Sequence, residues 1–315
     1  MATLVTGATG LLGSACVKLL LERGEEVIAL VQDRDPSSRL YQLSGFIEVR
    51  DELATVERVV GEYRPRQVLH LAAQTQVPTA NRAPLSTFES NVRGTWRLLE
   101  ALRVYGDAEA IVVASSDKAY GLAPPPYTEQ TPLQPVAPYD VSKACTDLIA
   151  RSYAQHFGLP VTVTRCGNLY GPGDANQDRL VPGVIRALAR GEAPTLRSRG
   201  LMSREWLFVE DAARANLLLL DNGARGEAVN VGGGQRATAL DVTRRLIELS
   251  GVDIEPVVAS QDPAGEIPHQ ALDCRRLAAL GWAASTPLSE GLALTWSVEQ
   301  HRFSARGTNA GRAAD

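Results

Sequence analysis

The feature that most constrains the fold of this chain is the alternation of short apolar runs with amphipathic helical segments. Apolar runs of four to six residues bounded by turn residues are typical of buried strands, and the longer periodic segments between them are typical of helices. Strands and helices are predicted in alternation over 2–6, 11–23, 26–31, 68–71, 84–105, 110–115, 139–157 and 160–165. Because strands joined by helices pair in parallel, the pattern predicts an α/β fold with helices on both faces of a parallel sheet, which binds ligands at the carboxyl ends of its strands.

The second half of the chain departs from this strict alternation and suggests a second, smaller α/β unit. A loop, a helix, a strand and two further helices are predicted over 171–178, 180–190, 204–209, 238–250 and 289–300. We expect a first domain over 1–166, to which 205–232 returns, and a smaller interleaved domain over 167–204 and 233–303. Residues 304–315 are rich in Ala, Gly and Arg and are expected to form a flexible tail.

Composition excludes several classes of protein. The chain has 315 residues, 44% of them hydrophobic and 22% charged, which allows a large buried core. A net charge of −4 argues against nucleic acid as a partner. Apolar runs stay far below the roughly 20 residues that span a bilayer, and we expect no membrane partner, no signal peptide and a cytoplasmic location. The cysteines and histidines are scattered, so we also expect no metal site.

Three glycines join the first predicted strand to the first predicted helix. Gly7, Gly10 and Gly13 occur in the segment Val5–Gly13. Glycine permits a tight turn and close approach of backbone to a pyrophosphate, towards which the next helix points its N–H groups. Although any tight strand–helix turn could use glycine, the position within an alternating chain predicts a dinucleotide site. We assign to the cofactor Gly7, Thr9, Gly10, Leu11 and Leu12.

The end of the second predicted strand bears on which dinucleotide binds. An acidic residue there would hydrogen-bond the adenosine ribose and indicate NAD. The position holds Val31, with Asp33 two residues later, and Arg34 could instead meet a 2′-phosphate. The residues leave NAD and NADP open; we expect NAD, with Asp33 and Arg34 near its ribose.

Tyr139 and Lys143 are four residues apart on a predicted helix, so they share one face. An ammonium group nearby lowers the pKa of a phenol and helps it to exchange a proton with a substrate hydroxyl. The chain has only three lysines, which makes such a pair uncommon by chance. An ordinary surface pair is the alternative, and the glycine loop upstream favours the catalytic interpretation.

Several motifs together resemble the extended short-chain dehydrogenase/reductase superfamily. In chain order they are Thr6–Gly13, His70–Gln74, Asn91–Thr95, Ser115–Ser116, Tyr139 with Lys143, and Arg165–Asn168. The resemblance implies a Rossmann-like doubly wound sheet with a smaller substrate domain, NAD as cofactor, and a nucleotide-diphosphate sugar as substrate.

The resemblance also assigns individual residues. It implies that the cofactor contacts Glu52, Leu53, Leu71, Ala72, Ala73, Gln74, Asn91, Ser115, Tyr139, Lys143 and Cys166, with Glu52 in place of an aspartate that the family places against the adenine. It implies that the substrate contacts Gln74, Ser116, Asn168, Arg179, Leu180, Val181, Arg204 and His269. Arginine is suited to a diphosphate because its guanidinium forms paired hydrogen bonds.

The segment Ser115–Gly121 narrows the reaction. Sugar 4,6-dehydratases carry an acid followed by a second ionisable group after the serines, and here these are Asp117 and Lys118. The segment resembles the CDP-glucose 4,6-dehydratase branch, as do 167–174, 178–182 and 266–270. The implied roles are Asp117 as the acid, Lys118 as the C5 base and Tyr139 as the O4 base, with Ser116 and Lys143 assisting. A structural ion pair between Asp117 and Lys118 is the alternative.

Other functions remain open on the residues alone. A nucleotide-sugar 4-epimerase would use the same tyrosine and NAD, a decarboxylase would need a 6-carboxylate sugar, and an NAD-binding regulator would have no need of the Tyr139–Lys143 pair. The helical segments 84–105 and 139–157 resemble the dimer-forming pair of the superfamily and predict a homodimer, unless both simply pack on the sheet.

Overall fold

The computed structural model describes residues 2–262 and 269–304. The strands are β1 (Ala2–Thr6), β2 (Glu26–Val31), β3 (Ile47–Arg50), β4 (Gln67–His70), β5 (Ala110–Ala114), β6 (Val161–Cys166), β7 (Asn168–Tyr170), β8 (Thr195–Leu196), β9 (Ser203–Phe208), β10 (Ala228–Val231), β11 (Gln235–Thr238) and β12 (Val257–Val258). The helices are α1 (Leu11–Glu22), α2 (Val56–Tyr63), α3 (Val77–Arg82), α4 (Pro84–Phe88), α5 (Gly94–Tyr105), α6 (Pro138–Phe157), α7 (Leu180–Ala189), α8 (Val209–Asn222), α9 (Ala239–Ser250), α10 (Arg275–Ala279) and α11 (Leu288–Ser304).

A seven-stranded parallel sheet forms the larger body and confirms the predicted fold class. Its strand order is β10-β6-β5-β4-β1-β2-β3, so the order reverses between β1 and β4. Helices α1 and α8 pack on one face, and α2, α5 and α6 pack on the other. Because both faces are covered, the strands are continuous apolar runs such as that of β2. The reversal opens a crevice at the carboxyl ends of β1 and β4.

A smaller body is built around a three-stranded sheet of order β11-β9-β7, and β8 pairs with β12. Helices α7, α9 and α11 pack beside it around a separate apolar core. The chain returns to the large sheet with α8 and β10 rather than at residue 205, because β9 pairs with β7 and β11. The predicted tail over 304–315 and the sequence match over 266–268 lie outside the described residues, apart from Ser304, the last residue of α11.

The predicted helix 84–105 is wrong in one respect: it is interrupted. After α4, residues 89–93 form a π-helical turn before α5 begins. Within that turn the carbonyl oxygen of Asn91 accepts hydrogen bonds from the hydroxyls of Thr95 and Thr146. Such turns are often found at functional sites, because they redirect side chains. In the described part of the chain, no helix is long and apolar enough to cross a membrane.

Candidate active site

The glycine loop fits a dinucleotide pyrophosphate. Gly7 has a φ of +70°, and a Cβ there would lie 2.6 Å from the amide nitrogen of Ala72. Gly10 caps α1 with extended backbone; no side chain caps this end and no acidic residue occupies the first turn. The N–H groups of Leu11 and Leu12 and the helix dipole are therefore directed at the crevice, where an anion is stabilised.

The loop after β2 is tied to the glycine loop by a residue that the sequence interpretation missed. Ser38 is buried, and its hydroxyl donates a 2.7 Å hydrogen bond to the carbonyl oxygen of Thr9. Asp33 and Arg34 are exposed beyond the end of β2, and the Arg34 guanidinium lies 4.8 Å from the centre of the Tyr41 ring. Serines after a strand are common, so no local signal marked Ser38.

The predicted adenine contacts lie at the end of β3. Glu52 is exposed, whereas the neighbouring Asp51 carboxylate is engaged with Arg58 and with the amide of Glu52. Leu53 packs so closely on Gly94 that a Cβ at Gly94 would lie 2.7 Å from its Cδ1 atom. Of these two neighbouring carboxylates, that of Glu52 is the one not engaged with Arg58.

Asn91 connects the cofactor loop to the catalytic helix. Its Oδ1 accepts from the amide of Gln74 at 2.7 Å, while its Nδ2 donates to the carbonyl oxygen of Gln74 at 3.0 Å and to Ser142 Oγ at 2.9 Å. The predicted loop Leu71, Ala72, Ala73, Gln74 is thereby held against α6, and the Ala72 amide donates to Thr6 Oγ1. Asn91 thus acts as a buried clamp of the loop.

Lys143 is buried and donates to the carbonyl oxygen of Ala114 at 2.9 Å. Ser115 donates to the backbone carbonyl oxygen of Lys143, so its hydroxyl fixes α6 to the end of β5. Burial lowers the pKa of Lys143 to about 8, and burial raises that of the nearby Cys166 thiol to about 11. The lysine is therefore close to titrating at neutral pH, while the thiol stays protonated.

The expected lowering of the Tyr139 pKa is wrong for this structure. Burial raises that pKa to about 12, and the Arg179 guanidinium and a hydrogen bond with Ser116 oppose the rise. Lys143, whose ammonium donates to the Ala114 carbonyl, is not among the groups that shift the pKa of Tyr139. The cation that favours the phenolate comes from the smaller body, where Arg179 caps the start of α7.

The predicted acid and base lie on one short helical turn. Residues 117–120 form a 3-10 helix whose N-cap is Ser116, and the Ser116 hydroxyl donates to Asp117 at 3.1 Å. Asp117 is only 4% exposed. Lys118 is partly buried, and its Nζ donates to the Oε1 atom of Gln270. The turn thus brings a carboxyl and an ammonium together beneath α6.

Asp140 joins this group, although the sequence interpretation did not select it. Burial raises its pKa to about 6; Lys118 lowers that pKa and Asp117 raises it. It directly follows Tyr139, so its neighbourhood to the tyrosine was visible in the sequence. Its approach to Asp117 and Lys118 was not, because that depends on how the turn packs on α6.

The smaller body contributes polar groups to the same place. The Nδ2 atom of Asn168 is buried without a hydrogen-bond partner. Arg179 is held by Asp174 and by the carbonyl oxygen of Leu169. Arg204 lowers the pKa of Tyr127, which burial and Asp117 raise. A cation and free N–H donors here suit an oxygen-rich ligand.

The other residues predicted to contact the substrate are Leu180, Val181 and His269, and the structure gives them different surroundings. Leu180 is partly buried, and Val181 lies in the apolar core of the smaller body, so the substrate contacts of both residues stay predictions. Val181 follows Leu180 along α7, so the two point to different sides of the helix. His269 is exposed and pairs with Ser203.

Comparison with known proteins identifies relatives over nearly the whole chain. A dTDP-glucose 4,6-dehydratase of Streptomyces antibioticus is 35% identical, with 94% of this chain and 91% of the relative covered. The dTDP-glucose 4,6-dehydratase of Salmonella typhimurium is 29% identical, with 94% and 91% covered. Both relatives are thus named for dTDP-glucose, whereas the sequence motifs resemble the CDP-glucose branch.

Solved structures share the fold. The UDP-glucose 4-epimerase of Thermotoga maritima, solved with UDP-glucose, is 30% identical with a TM-score of 0.89 over 96% of this chain and 99% of its own. The dTDP-glucose 4,6-dehydratase of Streptomyces venezuelae, solved with NAD bound, is also 30% identical, with a TM-score of 0.89 over 96% and 97%. Because the glycine loop fits a dinucleotide pyrophosphate and this relative was solved with NAD, NAD is the cofactor. Residues 3–232 match the family described as NAD dependent epimerase/dehydratase, and the chain belongs to that family.

Proposed function

We propose that the chain is an NAD-dependent nucleotide-diphosphate-sugar 4,6-dehydratase. One observation carries the proposal: a single buried turn presents Asp117 and Lys118 next to Tyr139 and Asp140. Elimination of water needs an acid and a base in addition to the tyrosine that serves C4 oxidation. An oxidation at C4 alone would not need the Asp117–Lys118 pair.

The residues described above would hold the cofactor and the sugar in separate parts of the crevice. The backbone of Gly7 and Gly10 would bind the pyrophosphate of NAD, and Lys143 its nicotinamide ribose. When bound, NAD supplies the hydride acceptor for C4 and the hydride that returns to C6. The smaller body would hold the nucleotide diphosphate through Asn168 and Arg204, which makes it the substrate domain.

The proton steps follow from the side chains. Tyr139 takes the proton of the C4 hydroxyl, aided by Ser116 and Arg179, which favour its phenolate. The 4-keto group acidifies the C5 proton, which neutral Lys118 removes. The C5 electron pair forms the C5–C6 double bond, and the C6–O bond breaks as Asp117 passes a proton to the leaving hydroxyl. Hydride return to C6 and reprotonation of C5 by Lys118 give a 4-keto-6-deoxy sugar and one water.

The nucleotide is a separate part of the proposal. The lysine at position 118 resembles the CDP-glucose branch, whereas the relatives above carry dTDP-glucose in their names. We propose CDP-glucose as the first substrate to test and dTDP-glucose as the second, because Lys118 belongs to the chemistry of the site itself.

A 4-epimerase is the second candidate, favoured by the similarity to the Thermotoga maritima UDP-glucose 4-epimerase. An epimerase would return the hydride to C4 and lose no water. Lys118 would then be structural, and its replacement would slow turnover only modestly.

The test is mass spectrometry of the purified protein after incubation with CDP-, UDP-, dTDP- and GDP-glucose, without added cofactor. Loss of one water from one substrate is expected, and it names the nucleotide. Lys118→Met is expected to abolish water loss, whereas the control Lys18→Met, at a surface lysine of α1 paired with Glu210, is expected to retain it. An unchanged mass with a new retention time would instead establish the epimerase.

We further propose that the protein is a homodimer formed through α5 and α6. These helices pack side by side and carry exposed apolar side chains, which are Trp96, Val104, Tyr105, Leu148 and Phe157. Exposed apolar groups on adjacent helices favour association with a second copy of the same surface.

A further inference from the structure

Gln270 makes a polar contact with the proposed base and has half of its amide unused. Gln270 is only 1% exposed. Its Oε1 accepts a hydrogen bond from Lys118 Nζ, while its Nε2 is buried and has no partner. With the oxygen facing the lysine, this contact persists when Lys118 is an ammonium, which can only donate. The Nε2 group therefore points away from Lys118.

A buried N–H₂ group without a partner is costly to a folded protein, by about 1–3 kcal/mol, so such groups are rare. Hydrogen bonds anchor the backbone of the residues next to Gln270. His269 pairs with Ser203 of β9, the Ala271 carbonyl accepts from the amide of Tyr127, and the Leu272 amide donates to Glu205. A buried donor without a protein partner, on a residue with an anchored backbone, is suited to a ligand oxygen.

The place of Gln270 in the fold points to the substrate as that ligand. It lies at the junction of the two bodies, between the Lys118 turn of the larger and the strand that carries Arg204 in the smaller. Asn168 contributes a second buried side-chain N–H₂ group without a partner from the same smaller body. A sugar carries several hydroxyl oxygens that could accept from such donors.

We propose that Gln270 is a positioning residue for C5 proton transfer that also binds the sugar: Oε1 holds Lys118, and Nε2 donates to a sugar oxygen. This rests on the proposed dehydratase function. A neutral amide accepts a hydrogen bond from an amine and from an ammonium alike, so it holds Lys118 before and after the base takes its proton. A carboxylate at this position would favour the ammonium and oppose its use as a base.

The test uses Gln270→Met, which removes both polar groups at similar size, and Gln270→Glu, which keeps an acceptor for Lys118. Gln155→Met is the matched control, at an exposed glutamine of α6 that bonds only to the Gly226 carbonyl among the contacts described. Product formation, absorbance of reduced cofactor and uptake of solvent deuterium at C5 are followed for each holoenzyme. These readouts separate C4 oxidation from the C5 step.

At saturating sugar, we expect Gln270→Met to oxidise C4 at the wild-type rate and to accumulate reduced cofactor, while deuterium uptake at C5 and water loss fall about tenfold or more. We expect Gln270→Glu to be slow at neutral pH and to recover as pH rises, because the new carboxylate raises the pKa of Lys118. Among the described residues, the other charged groups nearby are Asp117 on the same turn, Asp140 on α6, Glu205 of β9, which accepts from the Leu272 amide, and Arg179 and Arg204, which act on Tyr139 and Tyr127. They are unchanged in both variants.

The outcomes separate the two proposals. If the wild-type protein releases water but both variants match it in C5 exchange and pH profile, the role of Gln270 is wrong and the dehydratase stands. The role of Gln270 is also wrong if C4 oxidation and C5 exchange fall equally, as they would after a merely structural loss. If the wild-type protein releases no water from any of the four substrates, both proposals are wrong.

Discussion

Replacing Asn91 by alanine tests whether the cofactor loop is held to α6 as the structure shows. The change removes three hydrogen bonds, two of them to the backbone amide and carbonyl of Gln74 and one to Ser142. Asn91 is only 1% exposed, so water replaces these partners poorly. Leaving such groups unpaired costs about 1–3 kcal/mol each at most, and partial relaxation of the loop gives an expected loss of about 3 kcal/mol.

For a chain of 315 residues, the typical unfolding entropy per residue converts this loss into a Tm lower by about 4–5 °C. Differential scanning calorimetry measures the shift, and the NAD content of the purified protein reports on the loop. We expect lower NAD retention as well, because residues 71–74 lose their anchor. Asn222→Ala, at an exposed asparagine that ends α8, serves as the control. A Tm and NAD content for Asn91→Ala equal to those of the control would refute the clamp.

Three further predictions concern the glycine loop, the buried histidine and the dimer. Gly7→Ala should abolish NAD retention because a Cβ there meets backbone. Gly24→Ala, with a similar φ of +73° but open space around it, should keep NAD and lower the free energy of unfolding by only about 1–2 kcal/mol. The amount of NAD released on denaturation of each variant is the measurement that checks this. Burial lowers the pKa of His70 from 6.5 to about 3, so the unfolded chain binds more protons than the folded one between these pH values. The stability of the protein should therefore fall as pH drops from about 6.5 towards 3. His70→Asn should flatten this part of the Tm–pH curve, and an unchanged slope would contradict the prediction. Leu148→Glu should convert the proposed dimer to a monomer in light scattering, whereas Leu201→Glu, equally exposed in the smaller body, should not; a wild-type monomer would contradict the dimer.

The chemistry of the individual side chains and half of the described strands, namely β1, β2, β4, β5, β6 and β9, could be predicted from the sequence. Strands β1 and β2 have the predicted bounds, because buried parallel strands are uninterrupted apolar runs between turn residues. Among the described strands, β3, β7, β8, β10, β11 and β12 were not predicted. Of these, β8 and β12 are two-residue pairings, which have no periodicity to detect. The π-helical turn over 89–93 was also missed; the Asn91 carbonyl in that turn accepts a hydrogen bond from Thr146 of α6, a contact that spacing along the chain does not reveal.

The active site divides in the same way. The positions of Ser116, Asp117 and Lys118 on one turn follow from their adjacency in the sequence. The pKa of Tyr139 does not, because burial and a guanidinium from a distant segment set it. The sequence predicted that Lys143, four residues along the helix, would be the cation that lowers the pKa of Tyr139. In the fold, the Arg179 guanidinium has that effect.

By itself, the sequence determined the alternation of strands and helices, the glycine loop and the residue types available for proton transfer. These properties are local, since each depends on spacing along the chain or on the conformational freedom of a residue. Tertiary structure decided which groups meet: Asn91 with the loop at Gln74, Lys118 with Gln270, and Asp140 with both ionisable groups of the turn. Gln270 is 152 residues from Lys118 in the chain, and only the packing of the two bodies brings the amide to the ammonium.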